Sequence, residues 1–342
     1  MYGFFVVVGV MIVVFFLFQV LPGDPVALMM GQRTDEDTRK NISHEFGLDL
    51  PLSQQLGLYL NDLSPISVHE DNLEEEKKYD FLKLIPLGKN VLVLKKPYLR
   101  RSFQTSRRVD EIIFEYLEGT IWLALTSMLF ATFFGILFGI IAALKQNSFW
   151  DHFLVSTSVL GISAPSFVAA LLISQIFGNY LSDYTGLNAI GSLWELDAFT
   201  GKRLALENII LPTIALGLRP LAIIVQLTRS AMLDVLSQDY IRTARAKGLK
   251  FYKVVTKHAL KNALNPVVTA VSGWLASLLA GAFFIEYIFN WKGIGYITLD
   301  SVLKKDFPVV MGAIMLVAMI FVIINILVDV IYALIDPRVR LD

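Results

Sequence analysis

Cysteine is absent from the 342 residues. That excludes disulfide frameworks, thiolate metal sites and cysteine nucleophiles together. Charge is scarce, with Asp, Glu, Lys and Arg making up 18% of the chain, and neither sign prevails, since 30 basic residues stand against 30 acidic. A chain without a basic excess lacks the electrostatic footprint of a nucleic-acid binder. The four histidines, His44, His69, His152 and His258, are too scattered to give metal-ligand spacing. No Gly-x-x-x-x-Gly-Lys-Ser/Thr run is present to cradle nucleotide phosphates, and no His-Glu-x-x-His pair to hold zinc. What fills the sequence is apolar: 55% is hydrophobic, which is too much for an ordinary soluble domain. The composition is that of a membrane protein, with the lipid bilayer as its first partner.

A helix needs about 20 apolar residues to cross the hydrocarbon core. Five stretches carry no Asp, Glu, Lys or Arg: 2–20, 120–144, 153–182, 262–285 and 307–328. A sixth, 208–228, contains only Arg219. The expected fold is therefore an all-α membrane protein of six transmembrane helices with both termini on one side. The first stretch is read as a retained span. It lacks a basic n-region, its apolar run is long, and Pro22-Gly23-Asp24-Pro25 follows where a signal peptide has a small-residue cleavage site. Short-loop charge sets the orientation. With both termini inside, the cytoplasmic segments hold eleven Lys and Arg and the short outer loops five. Both termini are placed in the cytoplasm.

Domain organisation follows from the spans: 1–20 is the first transmembrane helix, 21–119 an external lobe with an interfacial helix, and 120–342 a five-helix core with a cytoplasmic loop at 229–266. Within the lobe a helix is expected from Thr34, with Asp37 as capping-box partner. Residues 73–78 read as a solvated helix face or loop, and 90–95 as a strand. Ser106 is the expected cap of an amphipathic helix bearing Val109, Ile112, Ile113, Tyr116 and Leu117 along the membrane interface.

The cytoplasmic loop carries the most information. Its first half is helical in composition, with Met232, Leu233, Leu236 and Tyr240 at helical spacing, and Gly248 can take the left-handed conformation that ends a helix. A second helix is expected over 250–263, with Lys250, Lys253, Lys257 and Lys261 as a basic stripe and Phe251, Val255, Ala259 and Asn262 opposite. Two readings of this stripe stay open: lysines resting against anionic headgroups, or a helix–Gly–helix element that docks a soluble partner.

The run Asp239-Tyr-Ile-Arg-Thr-Ala-Arg-Ala-Lys-Gly-Leu249, followed by His258-Ala-Leu-Lys-Asn-Ala-Leu-Asn-Pro266, resembles the coupling segment of ABC-importer permeases, in their dipeptide/oligopeptide/nickel branch. Arg242-Thr243-Ala244 stands where the superfamily motif has Glu-Ala-Ala before its glycine, a departure usual for the peptide branch. Leu21-Pro-Gly-Asp-Pro25, Phe46-Gly-Leu-Asp-Leu-Pro51, Phe289-Asn-Trp-Lys-Gly-Ile-Gly295, Lys305-Asp-Phe-Pro308, and Asn325, Asp329, Tyr332 with Asp336-Pro-Arg-Val-Arg340 extend the resemblance over nearly the whole chain. It implies half of a translocation pore in a bacterial inner membrane, with no enzymatic activity of its own. The implied partners are a second permease, two cytoplasmic ATPases that carry ATP-Mg, and an extracytoplasmic binding protein. Dipeptides or oligopeptides are the implied substrates. Nickel or another small solute is the alternative, and an ion-coupled secondary transporter a more distant one. ATPase coupling falls to Tyr240, Arg242, Thr243, Ala244, Gly248, Leu249, His258 and Asn262.

Three further groups bear on the pore. Arg219, beside Pro220, is costly inside a membrane and needs a wet cavity or a partner. It reads as a pore cation meeting a peptide carboxylate, as half of an internal pair with Asp329 as candidate, or as a snorkelling side chain. Asp329 is equally a candidate partner for Arg229, and Glu286 reads as a vestibule residue or an ordinary interfacial carboxylate. Gly135 with Gly139, and Gly273, Ser277 and Gly281 at four-residue steps, allow close helix packing, either static or sliding. Pro165 is expected to bend the third span.

Overall fold

The computed structural model describes residues 2–20, five single positions from Glu36 to Asp49, and 50–197, 201–280 and 282–335. The turn expected at Pro22-Gly23-Asp24-Pro25, the helix expected from Thr34, the side chains of Asp329 and Tyr332, Gly281, and the terminal 336–340 segment lie outside the described residues. Two compact units form, each discontinuous in sequence: Met1–Tyr116 with Ile297–Met319, and Leu117–Tyr296 with Ile320–Asp342.

In the first unit the apolar helix Tyr2–Val20 packs Phe15 against Tyr59 and Leu63 of helix Leu52–Leu63, with Met315 in the same cluster. Beyond them lies a three-stranded antiparallel sheet of β1 (Ile66–Glu70), β2 (Leu82–Leu87) and β3 (Asn90–Leu94), with β3 central. Alternation explains β3: Val91 and Val93 point inward onto Tyr79, Phe81 and Tyr98. The acidic–basic run between β1 and β2 is a helix, Leu73–Tyr79, capped by Asn72, whose side chain accepts from the Glu75 N–H at 2.7 Å.

Polar groups buried under this sheet are satisfied together. The Tyr79 hydroxyl donates to Asp62 Oδ1 at 2.8 Å, and Lys95 Nζ donates to the Asp62 carbonyl while lying 4.9 Å from the Tyr79 ring centre. His69 pairs its Nδ1 with Glu75 at 2.8 Å and its Nε2 with Ser67 at 3.0 Å. Burial pushes Lys95 down to about 8, lowers His69 and raises Tyr79.

The interfacial helix expected from Ser106 is not separate. Ser106 has φ +57°, and a single helix, Val109–Leu144, runs on into the second span. Its first apolar residues are spent inside the protein: Val109, Ile112 and Ile113 are buried, and Val109 lies against Gly312 where any Cβ would meet it at 2.5 Å. Asp306 then opens helix Phe307–Ile335, its carboxylate accepting from Ser102 Oγ and, at 2.9 Å, from the Phe103 N–H.

The second unit is built on helix Glu207–Leu236. Leu211, Ala215, Leu216 and Ile224 face Leu123, Ala124, Met128 and Ala131 of Val109–Leu144 in the largest apolar cluster. Three described helices are long and apolar enough to cross a membrane, Val109–Leu144, Glu207–Leu236 and Phe307–Val328. The third expected span is bent at Pro165 as expected, sharply enough to break it into two helices. Phe149–Ser163 and Ser166–Tyr180 meet at 109° across Ala164 and Pro165, and they add a fourth span if counted as one. Proline cannot donate the hydrogen bond that would carry the first helix onward. Phe5–Leu17 and Asn265–Leu279 are shorter apolar helices at the positions of the first and fifth expected spans.

Candidate functional site

Helix Glu207–Leu236 ends two residues before a short helix, Asp239–Ala246, which starts after the extended residue Gln238. The short helix stops at Gly248 because the chain there adopts φ +79°, a conformation open to glycine and costly to other residues. Gly248 N–H reaches the Arg245 carbonyl at 2.9 Å and Leu249 N–H reaches the Ala244 carbonyl at 3.4 Å. These are the paired bonds of a Schellman ending, so the carbonyls left over at the helix end are occupied.

The return segment is less regular than the uniform helix expected over 250–263. Phe251–Lys253 passes into a π-helical turn, Val254–Ala259, and then Leu260–Ala263. A π turn carries more than 3.6 residues and rotates the faces that follow and precede it. Of the residues expected opposite the lysines, Phe251 and Asn262 are exposed and Val255 and Ala259 are buried, together with Val254, Ala263, Ile241, Ala244 and Met232. Ala244 is thus a packing residue beneath the corner and not a contact on its surface. Lys250, Lys253, Lys257 and Lys261 are all exposed.

The outer face of the corner combines these lysines with large rings. Tyr240, Leu249, Phe251 and Tyr252 are exposed, Tyr252 by 76%, and the Arg245 guanidinium lies 4.9 Å from the Phe251 ring centre. Asn262 Nδ2 donates to the Tyr240 hydroxyl at 2.9 Å, tying the two arms together. Arg242 and Thr243 are on the surface, and His258 is half-buried. Exposed aromatic and cationic side chains on a buried apolar base suit a protein-docking knob.

Behind the knob is an ion pair absent from the sequence-based expectation. Arg229 donates from Nε to Asp151 Oδ1 at 2.6 Å and from Nη2 to Oδ2 at 2.7 Å, a bidentate geometry. Asp151 is 2% exposed and also accepts from the Asn147 N–H at 2.9 Å. Arg229 therefore pairs with Asp151, while the side chain of Asp329, its candidate partner, lies outside the described residues. The pair ties the end of Glu207–Leu236 to the start of Phe149–Ser163.

Glu286 is no vestibule residue. It is fully buried, accepting from Thr120 Oγ1 at 2.8 Å and from the Tyr296 N–H at 3.0 Å, while Thr120 Oγ1 accepts from the Ile294 N–H at 2.7 Å. Carboxylate and hydroxyl together cap the N-terminus of helix Ile294–Leu303. Trp291, also buried, donates to the Gly119 carbonyl at 2.8 Å. Arg219 is exposed, makes no ion pair or hydrogen bond among the described residues, and lines a pocket with Gly161, Ala164, Ser166, Trp274 and Ser277.

The glycine pairs divide. Cβ atoms at Gly135 and Gly139 would lie 2.6 Å from Ile224 and 2.5 Å from Thr228, so this pair packs within the chain against Glu207–Leu236. Gly273 meets nothing within 4 Å, and Ser277 is exposed beside it.

Residues 135–341 match the family described as "Binding-protein-dependent transport system inner membrane component", and 1–124 match "Binding-prot-dependent transport system membrane comp, N-term". The chain belongs to this family. With its apolar helices, it is a multi-pass membrane protein. It is 37% identical over 348 residues to the di/tripeptide transport system permease protein DppB of Pseudomonas aeruginosa (strain UCBPP-PA14), covering 97% of this chain and 94% of that one. It is 35% identical over 331 residues to the glutathione transport system permease protein GsiC of Escherichia coli O6:H1, covering 97% and 94%. Its fold is similar to a chain of the inward-facing MetNI methionine ABC transporter, with a TM-score of 0.54 at 15% identity over 66% of this chain and 97% of that chain.

In this membrane component the structure brings Tyr240 and Asn262 together and sets Gly248 between their arms. Asp151 and Thr120 went unmarked in the sequence. The one local signal was Ser148, three residues before Asp151, whose hydroxyl accepts from the Asp151 N–H and starts the helix.

Proposed function

We propose that the chain is a permease subunit of an ABC importer for dipeptides and short oligopeptides, crossing the membrane six times with both termini in the cytoplasm. In this reading it forms half of a pore with a second permease and receives substrate from an extracytoplasmic binding protein. It contributes no catalysis of its own. Two ATPases that bind ATP-Mg grip the segment 240–262 from the cytosol. The observation that carries the reading is the Gly248 corner, an exposed cationic and aromatic knob seated on a buried apolar base. A stiff corner of this kind can pass a rigid-body shift of the ATPases to the spans. The peptide substrate rests on near full-length similarity to peptide permeases; the glutathione permease among them favours a tripeptide as a second substrate.

Because the chain has no cysteine, a single Tyr252→Cys supplies a unique crosslinking site. In the assembled transporter it should capture an ATPase subunit, and membranes should take up labelled dipeptide in an ATP-dependent manner. Capture of no ATPase, or labelling of Tyr252→Cys from outside the cell, refutes the assignment.

A further inference from the structure

Within the described part of Glu207–Leu236 two arginines stand ten residues apart and are treated differently. Arg229 is locked onto Asp151 by two hydrogen bonds. Arg219 has no such partner among the described residues, although it is the one charged side chain in the apolar run 208–228. An arginine at that depth costs a few kcal/mol on insertion scales and needs water or an anion beside it.

The surroundings of Arg219 leave room for one. It borders a cavity of about 100 Å³, opened by the 109° break at Pro165 and by the small side chains of Gly161, Ala164 and Ala169. Ser166 and Ser277 belong to the same wall. Small residues hold the cavity open, hydroxyls can donate, and a guanidinium presents two parallel N–H groups to a carboxylate. The space suits the carboxylate end of a peptide.

We propose that Arg219 and the pocket at the helix break bind the C-terminal carboxylate of a peptide during its passage through the membrane. The inference rests on the peptide-import reading and assigns that pore a chemical filter. An amidated peptide would find the guanidinium without its anion and would cross more slowly.

The test uses the full transporter in proteoliposomes, comparing import of a dipeptide with that of its C-terminal amide. The binding protein is the same in every arm, so its own preference cancels. Arg219→Gln should reduce the ratio of acid to amide import roughly 10- to 100-fold, the worth of a charge-assisted hydrogen bond, and Arg219→Lys should restore part of it. An unchanged ratio in Arg219→Gln overturns the proposal. A second measurement stands apart from transport. Ser277→Cys should react faster with an anionic methanethiosulfonate than with a cationic one, acetate should slow that reaction, and Arg219→Gln should abolish the preference. Labelling that ignores reagent charge overturns the site. A wild-type complex that imports neither compound overturns the peptide reading, and the labelling then decides the site alone.

Discussion

Replacing Gly248 isolates backbone conformation from packing, because a Cβ there would meet nothing within 4 Å. Within the chain, the effect of Gly248→Ala therefore comes from forcing a side chain into φ +79°, a cost of roughly 1–2 kcal/mol. That is about a 5- to 30-fold fall in the ratio of intact to disrupted corner. Asn tolerates the left-handed region better than Ala, and a β-branched Val tolerates it worse. Pro cannot reach it at all and also removes the N–H that bonds Arg245. The expected order of coupling is Gly, then Asn, Ala, Val and Pro, read as peptide imported per ATP hydrolysed by the reconstituted transporter at matched protein abundance. ATP hydrolysis itself should persist. If Val or Pro couples as well as Gly, the left-handed corner is not what transmits the motion.

Other perturbations address the supporting groups. Asp151→Asn leaves Arg229 without its anion and should cost roughly 2–3 kcal/mol, less than for a fully buried pair because Arg229 is partly exposed. Thermal unfolding in detergent measures it, and the exchange Asp151→Arg with Arg229→Asp should recover part of the loss. Glu286→Ala strips the acceptor from Thr120 and Tyr296 and should destabilise the fold by about 1–3 kcal/mol in the same assay. The lobe should become more stable as pH rises from about 8 towards 10, because buried Lys95 sheds its proton there while the unfolded chain keeps it. Above about 10 the sign reverses, since folded Tyr79 holds a proton that an unfolded tyrosine releases. Thiol accessibility of a buried Val93→Cys, corrected for intrinsic thiolate content, follows this curve, and Lys95→Met should flatten its rising limb.

The apolar helices were legible because bilayer thickness, and not any partner residue, governs the length of an apolar run. The Gly248 corner was legible for a similar reason: the conformation that ends a helix is a local matter. Where sequence reading missed, the controlling contact was distant. Asp151 acquires its meaning from Arg229, 78 positions along, and Glu286 from Thr120, 166 positions back. Glu286 had the look of a rim carboxylate only because its burial belongs to other elements. The return segment departs from the uniform helix expected over 250–263 for a different reason. Helical periodicity was carried at 3.6 residues through a segment that contains a π turn.

The discontinuity of the first unit has a consequence for biogenesis. Met315 completes the cluster of Phe15, Tyr59 and Leu63, yet Ile297–Met319 leaves the ribosome about 180 residues after the rest of that unit. At ordinary synthesis rates the wait is roughly 10–40 s. Throughout it, the nascent lobe holds an open apolar seam and a Ser102 hydroxyl that lacks Asp306 as its acceptor. A chaperone has that interval in which to act, and truncations ending before residue 297 should be the ones most readily degraded.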